Sequence, residues 1–422
     1  MSRIPTPQDG DTSALLTRLD QQQLATDFAQ LSRSVRKRPL VLFFGRNAFS
    51  DNSKYLYLRA VAASRGYEVH WATFDRTLTA TLQGLGLPVI RLGADIDASI
   101  DTLLHAAVAI YTVNPIESLG QLAPLLGCLA GAKQLQLWHG ISVKRLTLQL
   151  LPHLSARATE LRQPWISSTG VDHVVSTAPA FDAYWREVFG CRHLVRAGLP
   201  RNEVILRQAS DLEMVGARLP DAVLPLLQDS APALLLMPTW QRGKPTPLTD
   251  PGFLRRAEAW GRAQGAHLFL KAHPSLIGRD CGLSGVGSHL HLLDTALDIY
   301  PWLFRFNALV TDYSSVMFDH LLSGHPVLTL DLADGQHQRF EPDYSLVPPG
   351  DYRYDFSAEG FEDVWLRALL DDPLRAARQA YAREIFASDP AQACDDLLRV
   401  VDRLVEQATA PDWQVWQPAA TH

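Results

Sequence analysis

Two histidines and a pair of serines are the residues of this sequence best suited to chemistry. His139 lies between a tryptophan and a glycine, and it can act as a general base because the pKa of histidine lies near neutrality. His273 is followed by Pro274, which restricts the local turn, and its imidazole could donate to a phosphate oxygen or protonate a leaving phosphate. Capping or other structural roles are the alternatives for both histidines.

Ser314 and Ser315 follow an apolar run and open a predicted helix. A helix start carries unpaired backbone N–H groups and the positive end of the helix dipole, so it suits a phosphate. An ordinary serine N-cap is the alternative. Asp312, at the tip of the strand, could orient His273 or cap the turn, and Asp319, one helical turn beyond Ser315, could accept from a ribose hydroxyl or brace the helix.

Polar groups follow five apolar runs, each at the point where a strand is predicted to end. Because ligands of open parallel sheets bind at the carboxyl ends of the strands, these segments are expected to share one rim. The segments are 138–140, with Lys144 soon after; 198–202, with Arg201; 238–242, with Thr239 and Arg242; 271–274; and 311–315.

Strands and helices alternate along most of the chain, which predicts parallel sheets covered on both faces. The predicted strands are residues 40–44, 68–74, 88–92, 108–113, 134–138 and 173–177, and then 233–237, 267–271, 290–293, 308–311 and 326–330. The predicted helices include residues 14–31, 53–64, 179–189, 252–263, 298–304, 314–323, 358–370, 373–386 and 391–407.

A proline-rich break divides this alternation into two α/β domains, which predicts a cleft between them. We assign a polar lead-in to residues 1–37, an N-terminal, acceptor-side domain to 38–207, and a linker to 208–232. A C-terminal, nucleotide-binding domain covers 233–390, and a helix with a tail covers 391–422.

Composition excludes several classes of protein. The 422 residues are 47% hydrophobic and 20% charged, as in soluble globular proteins, and the net charge of -6 argues against a nucleic-acid binder. The four cysteines form no CxxC pair, and no cluster has metal-ligand spacing, so we expect neither a metal nor another cofactor. GxGxxG and GxxxxGK[ST] motifs are missing, which argues against a nicotinamide enzyme or a P-loop NTPase.

The apolar runs are shorter than the roughly 20 residues that span a bilayer, and no signal peptide is visible. We therefore expect a cytoplasmic protein, in contact with the cytoplasmic face of the inner membrane only peripherally.

In order and spacing, the motifs resemble those of the CDP-glycerol:poly(glycerophosphate) glycerophosphotransferase family, which includes the TagF-like and TagB-like enzymes of teichoic-acid and capsule synthesis. The resemblance covers residues from about 40 to 370 and rests on WHG with its downstream lysine at 138–144, GLPRN at 198–202, PTW at 238–240, HP at 273–274 and TDYSSVMFD at 311–319. The chain departs from the family's WHGTPLK, since it reads WHGISVK.

The resemblance implies a GT-B-like fold of two Rossmann-like domains whose parallel sheets face a central cleft. It also implies transfer of glycerol phosphate, or a similar polyol phosphate, from a CDP-linked donor to a hydroxyl of a lipid-linked or saccharide acceptor, with release of CMP. Because no long N-terminal module precedes the motifs, we expect a minimal transferase rather than a large polymerase.

Site roles follow from the resemblance and the strand-end positions together. His139 and His273 are the catalytic candidates; Thr311, Ser314, Ser315 and Arg242 face the donor phosphates; Thr239, Asp312 and Asp319 face the nucleotide and ribose; Gly140, Lys144 and Arg201 lie on the acceptor side.

Two other functions stay open at this point. One is a GT-B glycosyltransferase that uses a nucleotide sugar, and the other is a nucleotide-binding assembly protein without turnover. The presence of both histidines argues against the second, because binding alone would not require them. The polyol, the acceptor, the number of units added and the oligomeric state are left open by the sequence.

Overall fold

The computed structural model describes residues 9–45, 48–142, 171–239, 246–272, 288–332, 344 and 346–410. Within them, two parallel sheets follow one another along the chain. The first contains β1 (Arg38–Phe44), β2 (Glu68–Thr73), β3 (Val89–Arg91), β4 (Ala106–Tyr111), β5 (Lys133–Gln136), β6 (His173–Ser176) and β7 (His193–Arg196). The second contains β8 (Ala233–Leu236), β9 (His267–Leu270), β10 (Leu290–Leu292), β11 (Ala308–Thr311), β12 (Val327–Leu330) and β13 (Tyr354–Phe356).

Both sheets have the doubly wound order in which the chain starts in the middle, runs to one edge, and returns to the middle to build the other side. The order is β3-β2-β1-β4-β5-β6-β7 in the first sheet and β10-β9-β8-β11-β12-β13 in the second. The direction of winding therefore reverses between β1 and β4 and again between β8 and β11. Such switch points leave a crevice at the carboxyl ends of the strands, where ligands bind in folds of this type.

The central strands are apolar along their whole length because helices cover both faces of each sheet. Every residue of β4, β8 and β11 is buried. This burial explains why their sequences show continuous apolar runs rather than alternation.

The helices have local sequence signals at their ends. The Asp250 carboxylate accepts from the N–H groups of Gly252 and Phe253, and the helix that it caps ends at Gly265 in the left-handed conformation. The α-helices of the described residues are Asp9–Ser34, Asp51–Ala63, Arg76–Gly84, Ile96–His105, Pro115–Leu119, Asp182–Phe189, Glu203–Leu206, Leu224–Gln228, Pro251–Gln264, Val316–His320, Phe361–Leu370, Arg375–Ile385 and Ala393–Thr409.

Short 3₁₀ helices complete the secondary structure of the described residues. They are Gly120–Leu129, Pro179–Phe181, Pro200–Asn202, Pro247–Thr249, Tyr300–Arg305, Leu321–Ser323 and Pro390–Gln392.

The last helix returns to the first domain. The apolar face of Ala393–Thr409, including Leu397 and Val401, packs on β1, β4 and the helix Asp51–Ala63. On its outer side, Asp402 accepts from Arg65 at 2.5 Å and from Tyr67 at 3.0 Å. The segment that the sequence analysis set apart as a terminal helix is thus a structural part of the N-terminal domain.

One apolar cluster runs through both domains. It contains Val41 and Leu135 from the first sheet and Leu235 and Leu309 from the second, and it continues through the linker residue Leu227. The linker therefore does not separate two independent cores.

Most predicted elements are present, with shifts at their ends, and the predicted strand 308–311 has the bounds of β11. The helix predicted at 298–304 is instead the 3₁₀ helix Tyr300–Arg305. The helix predicted at 314–323 consists of the short α-helix Val316–His320 and a 3₁₀ turn. The apolar run through Val195, before residues 198–202, is β7, whereas β13 was not predicted.

Candidate active site between the two sheets

The turn after β5 carries His139, and its backbone is tightly fixed. Trp138 adopts φ +57°, a conformation that costs energy for a bulky residue and needs support from its surroundings. Its N–H donates to Oε1 of Gln136 at 2.9 Å, and its carbonyl accepts from Nδ2 of Asn52 at 2.7 Å and from Oγ1 of Thr112 at 3.1 Å. These bonds fix the backbone of the turn that carries His139.

The imidazole of His139 is half-buried at the carboxyl end of the first sheet. Its Nδ1 lies 3.4 Å from the carbonyl oxygen of Thr112, and its ring packs on the Trp138 indole with 4.2 Å between ring centroids. A carbonyl can only accept, so this contact is a hydrogen bond when the ring carries its proton on Nδ1. In that tautomer, Nε2 would hold the lone pair that a general base uses.

Gly140 is the point where the two domains meet. Its φ of +119° lies in a region that favours glycine, and a Cβ built on it would lie 3.1 Å from Oγ of Ser315. The same Cβ would lie 2.7 Å from Nη2 of Arg201. The loop that carries His139 therefore lies close to the Ser315 side chain of the second domain, at the rim where both were predicted.

Arg201 is buried at this junction, with only 2% of its surface exposed. Its Nη1 donates to Asp51 at 2.7 Å, and its Nη2 donates to Oδ2 of Asp319 at 2.6 Å and to the carbonyl oxygen of His139 at 2.9 Å. The guanidinium also lies 4.3 Å from the centre of the Tyr300 ring. The sequence placed Arg201 on the acceptor side as a source of positive charge; in the structure this charge is bound within the protein.

Asp319 completes the buried cluster. Its side chain is fully buried, and its Oδ2 also accepts from the hydroxyl of Tyr300 at 3.0 Å. Burial raises the pKa of Asp319 above its ordinary value, while the neighbouring Arg201 acts in the opposite direction. The structure places Asp319 in the bracing role that the sequence offered as the alternative to ribose binding.

Asp312 and Thr239 mark the switch point of the second sheet. The Asp312 carboxylate accepts from the N–H of Thr239 at 2.9 Å and from the N–H of Tyr313 at 2.7 Å. These bonds join the end of β8 to the end of β11. Asp312 thus caps the turn, the alternative that the sequence left open, and it holds the Thr239 backbone at the edge of the crevice.

The predicted phosphate-binding residues lie at the same edge. Ser314 and Ser315 are both partly exposed, and Ser315 precedes the helix Val316–His320 without capping it through its side chain. Thr311 is buried and donates through Oγ1 to the carbonyl oxygen of Met237 at 2.6 Å. The two serine hydroxyls are therefore better placed than Thr311 to meet a ligand in the cleft.

Three predicted site residues, His273, Arg242 and Lys144, lie outside the described residues. Lys271, which begins the same segment as His273, donates to the carbonyl oxygen of Thr295 at 2.9 Å, and burial lowers the pKa of its amine.

Three residues that were not predicted contact the site residues directly: Asp51, Asn52 and Tyr300. The first two open a helix after a strand end, a position that could have drawn attention to them, whereas nothing in the sequence marks Tyr300.

The residues described in the structure contain no group of three or more histidine, cysteine or acidic side chains able to hold a metal ion. No helix in the described part of the chain is long and apolar enough to cross a membrane.

Comparison with known families identifies the chain. Residues 26–363 match the model of the CDP-glycerol:poly(glycerophosphate) glycerophosphotransferase family. The chain belongs to this family. It is accordingly an enzyme of the CDP-glycerol glycerophosphotransferase type, as the motifs predicted. A search among curated protein sequences finds no match.

Solved structures with the same architecture confirm the GT-B-like fold. The wall teichoic acid polymerase TagF superposes with a TM-score of 0.66 at 16% identity, over 95% of this chain and 99% of that one. A TagF variant soaked with CDPG gives 0.65 at 17% identity, over 94% and 97% of the two chains. S. aureus MnaA in complex with UDP gives 0.55 at 11% identity, over 88% and 96%.

Proposed function

We propose that this enzyme transfers glycerol phosphate, or a similar polyol phosphate, from a CDP-linked donor to a hydroxyl of a lipid-linked or saccharide acceptor, with release of CMP. The observation that carries the proposal is the contact across the domain junction between the His139–Gly140 turn and Ser315. It brings the turn that carries the half-buried His139 from one sheet close to Ser315, one of two partly exposed serines of the other. An acceptor and a donor phosphate would meet between them.

The donor belongs on the second domain in this proposal. At the switch point of its sheet, the Asp312 carboxylate accepts from the N–H of Thr239, and Ser314 and Ser315 follow the end of the adjacent strand β11. Hydroxyl donors of this kind stabilise charge on phosphoryl oxygens without the need for proton transfer. His273 and Arg242 are proposed to add donors to the same phosphates, as the family motif implies.

The reaction is an in-line displacement at the β-phosphorus of the donor. The acceptor oxygen forms the new P–O bond, the bond between the β-phosphorus and the bridging oxygen breaks, and CMP departs with that oxygen. The acceptor proton moves to Nε2 of His139, whose Nδ1 lies 3.4 Å from the Thr112 carbonyl oxygen. Positioning and electrostatic stabilisation supply most of the rate in phosphoryl transfer, and one general base contributes roughly 10²–10⁴-fold.

The biological role that fits this reaction is synthesis of a teichoic-acid-like, capsular or other surface polymer. The fold of TagF, a wall teichoic acid polymerase, over nearly the full length of both chains supports this role. A lipid-linked acceptor would bring the enzyme to the cytoplasmic face of the membrane as a peripheral protein. We further propose that transfer proceeds without a metal ion, so turnover should survive treatment with EDTA.

The proposal is tested by measuring CMP release from CDP-glycerol with and without a polyol-phosphate acceptor. His139→Ala should lower turnover by about 10²–10⁴-fold, the contribution of a general base. His173→Ala is the matched control, because this half-buried histidine begins β6 at the opposite end of the same sheet. Near-normal turnover of His139→Ala would refute the assignment, and an equal loss in the control would show a general effect on folding.

Thermal shifts with different ligands separate the remaining alternatives. CDP-glycerol and CMP should stabilise the protein, and comparison with CDP-ribitol identifies the polyol. Stabilisation by UDP-sugars alone would favour the glycosyltransferase, and stabilisation by CDP-glycerol without CMP release would favour the non-catalytic binding protein.

A further inference from the structure

Arg201 connects three parts of the site that are far apart in sequence. Its guanidinium donates to Asp51 at the start of a first-domain helix, to the carbonyl oxygen of His139 after β5, and to Asp319 in the second domain. Each distance lies between 2.6 and 2.9 Å. A single side chain therefore joins the turn that carries His139 to both domains.

The main chain of Arg201 is tied to the same turn. Its N–H donates to Oδ1 of Asn52 at 3.1 Å, and Nδ2 of Asn52 donates to the carbonyl oxygen of Trp138 at 2.7 Å. Two consecutive carbonyls of the turn, those of Trp138 and His139, are thus held by one local network. The network fixes the direction of the peptide from which the imidazole of His139 projects.

The guanidinium itself is held in one orientation. Asp319 binds Nη2, the Tyr300 ring lies against its plane, and the Tyr300 hydroxyl donates to the same carboxylate oxygen of Asp319. Arginine suits this place because its planar fork presents several donors in fixed directions. A lysine has one flexible ammonium group and would not match the three acceptors in the same geometry.

We infer that Arg201 is a positioning residue, which holds the His139–Gly140 backbone against Ser315 by anchoring it to Asp319 across the domain junction. It does not present its charge to the acceptor, since only 2% of its surface is exposed. The effect of Arg201 on transfer rests on the proposed function, in which His139 is the base. Its effect on the geometry of the turn is independent of that function.

This role predicts a loss in the rate of transfer rather than in donor affinity. A displacement of about 1 Å in a reacting group can lower the rate about 10²-fold. Arg201→Lys should therefore lower kcat about 10²-fold while the Kd for CDP-glycerol changes less than about threefold. The donor is placed on the second domain, whose serine pair is not bonded to Arg201.

Arg378→Met is the matched control for the loss of a buried arginine. The Arg378 side chain is fully buried, and its Nη2 pairs with Asp372 at 2.5 Å and donates to the carbonyl oxygen of Gly324 at 2.9 Å. It contacts none of the site residues. Its loss should lower thermal stability but leave kcat within about twofold of the wild type.

A kinetic double-mutant cycle tests whether Arg201 acts through His139. Residues that act as a unit lose activity non-additively, so Arg201→Lys should cost less than about threefold in the His139→Ala background. An equal cost in both backgrounds would overturn the inference. If Arg201→Lys is unstable, Arg201→Met combined with Asp319→Leu replaces the ion pair by apolar groups and takes its place in the cycle.

Hydrogen exchange separates failure of this inference from failure of the proposed function. The amides of residues 138–141 should exchange at least about tenfold faster in Arg201→Lys and at the wild-type rate in Arg378→Met. Unchanged exchange in Arg201→Lys overturns the positioning role whatever the activity. Faster exchange together with near-normal turnover of His139→Ala supports the positioning role of Arg201 and refutes the role of His139 as the general base.

Discussion

Lys54 forms the second buried ion pair between the domains, and its removal should destabilise the whole protein. The Lys54 side chain is fully buried, and its Nζ donates to Asp298 at 2.8 Å and to the carbonyl oxygens of Glu213 and Val215 at 2.6 and 2.8 Å. The hydroxyl of Tyr55 donates to the same oxygen of Asp298 at 2.7 Å. Replacement of Lys54 by Met keeps the unbranched shape and helix propensity of the side chain but removes every hydrogen bond that Nζ donates.

The expected cost follows from what the substitution leaves behind. Asp298 keeps the Tyr55 hydroxyl but loses its counter-ion inside the protein. Breaking a buried pair in this way costs about 3–5 kcal/mol. The double variant with Lys54→Met and Asp298→Asn also lacks the carboxylate charge, so part of the lost stability should be recovered. The interaction energy between the two substitutions should be about 0.5–3 kcal/mol.

Arg59→Met is the control on the same helix. Arg59 forms a two-bond ion pair with Asp395, with both distances at 2.8 Å, but the two side chains are 52% and 36% exposed. An exposed pair is worth about 0–1 kcal/mol, so the control should lose no more than that.

Urea unfolding followed by tryptophan fluorescence and far-UV circular dichroism measures these differences. The two signals should change together, because one apolar cluster runs through both domains. A loss below about 1 kcal/mol in Lys54→Met would refute the reasoning, because it would mean that the Asp298 carboxylate is hydrated or paired without Lys54. Separate transitions for the two signals would refute the single shared core.

Three further predictions concern the site and its support. Gly140→Ala should lower kcat by at least about 10²-fold in the CMP-release assay, since the new Cβ meets side chains at 2.7 and 3.1 Å; Gly190→Ala, also at positive φ but with open space around it, should leave kcat unchanged. Asp312→Ala should cost about 1–3 kcal/mol in urea unfolding and weaken CDP-glycerol binding by calorimetry, because the N–H of Thr239 loses its acceptor. Burial lowers the pKa of His320 from 6.5 to about 3, so the unfolded chain binds the extra proton and stability falls as pH drops below about 6.5. Between pH 7 and pH 5 this histidine should cost about 2 kcal/mol, and His320→Leu should show that much less pH dependence in urea unfolding.

The sequence predicted the strands that lie in the middle of each sheet because their burial is continuous. The apolar run 308–311 was predicted to be a strand, and β11 has the same bounds. The edge strand β13 was missed for the opposite reason: it has three residues, and its central Asp355 is exposed. A short, half-buried edge has no apolar run that distinguishes it from a loop.

The candidate site could be located from the sequence because strand ends in parallel folds share one rim. His139 and Ser315 were placed at that rim from separate apolar runs, and the structure places Gly140, the residue after His139, close to the Ser315 side chain. The strained φ of Trp138 could not be foreseen, since bonds to Asn52 and Thr112, which are distant in sequence, help to hold that conformation.

The sequence by itself determined the type of enzyme and the strand ends at which the candidate site is proposed, because both depend on residue types and local periodicity. Only the tertiary structure decided what the charged residues do. Arg201 and Asp319 are separated by 118 positions, yet they form one buried pair at 2.6 Å. Whether a charge serves a ligand or the fold depends on its burial and its partners, and both arise from contacts between residues that are distant along the chain.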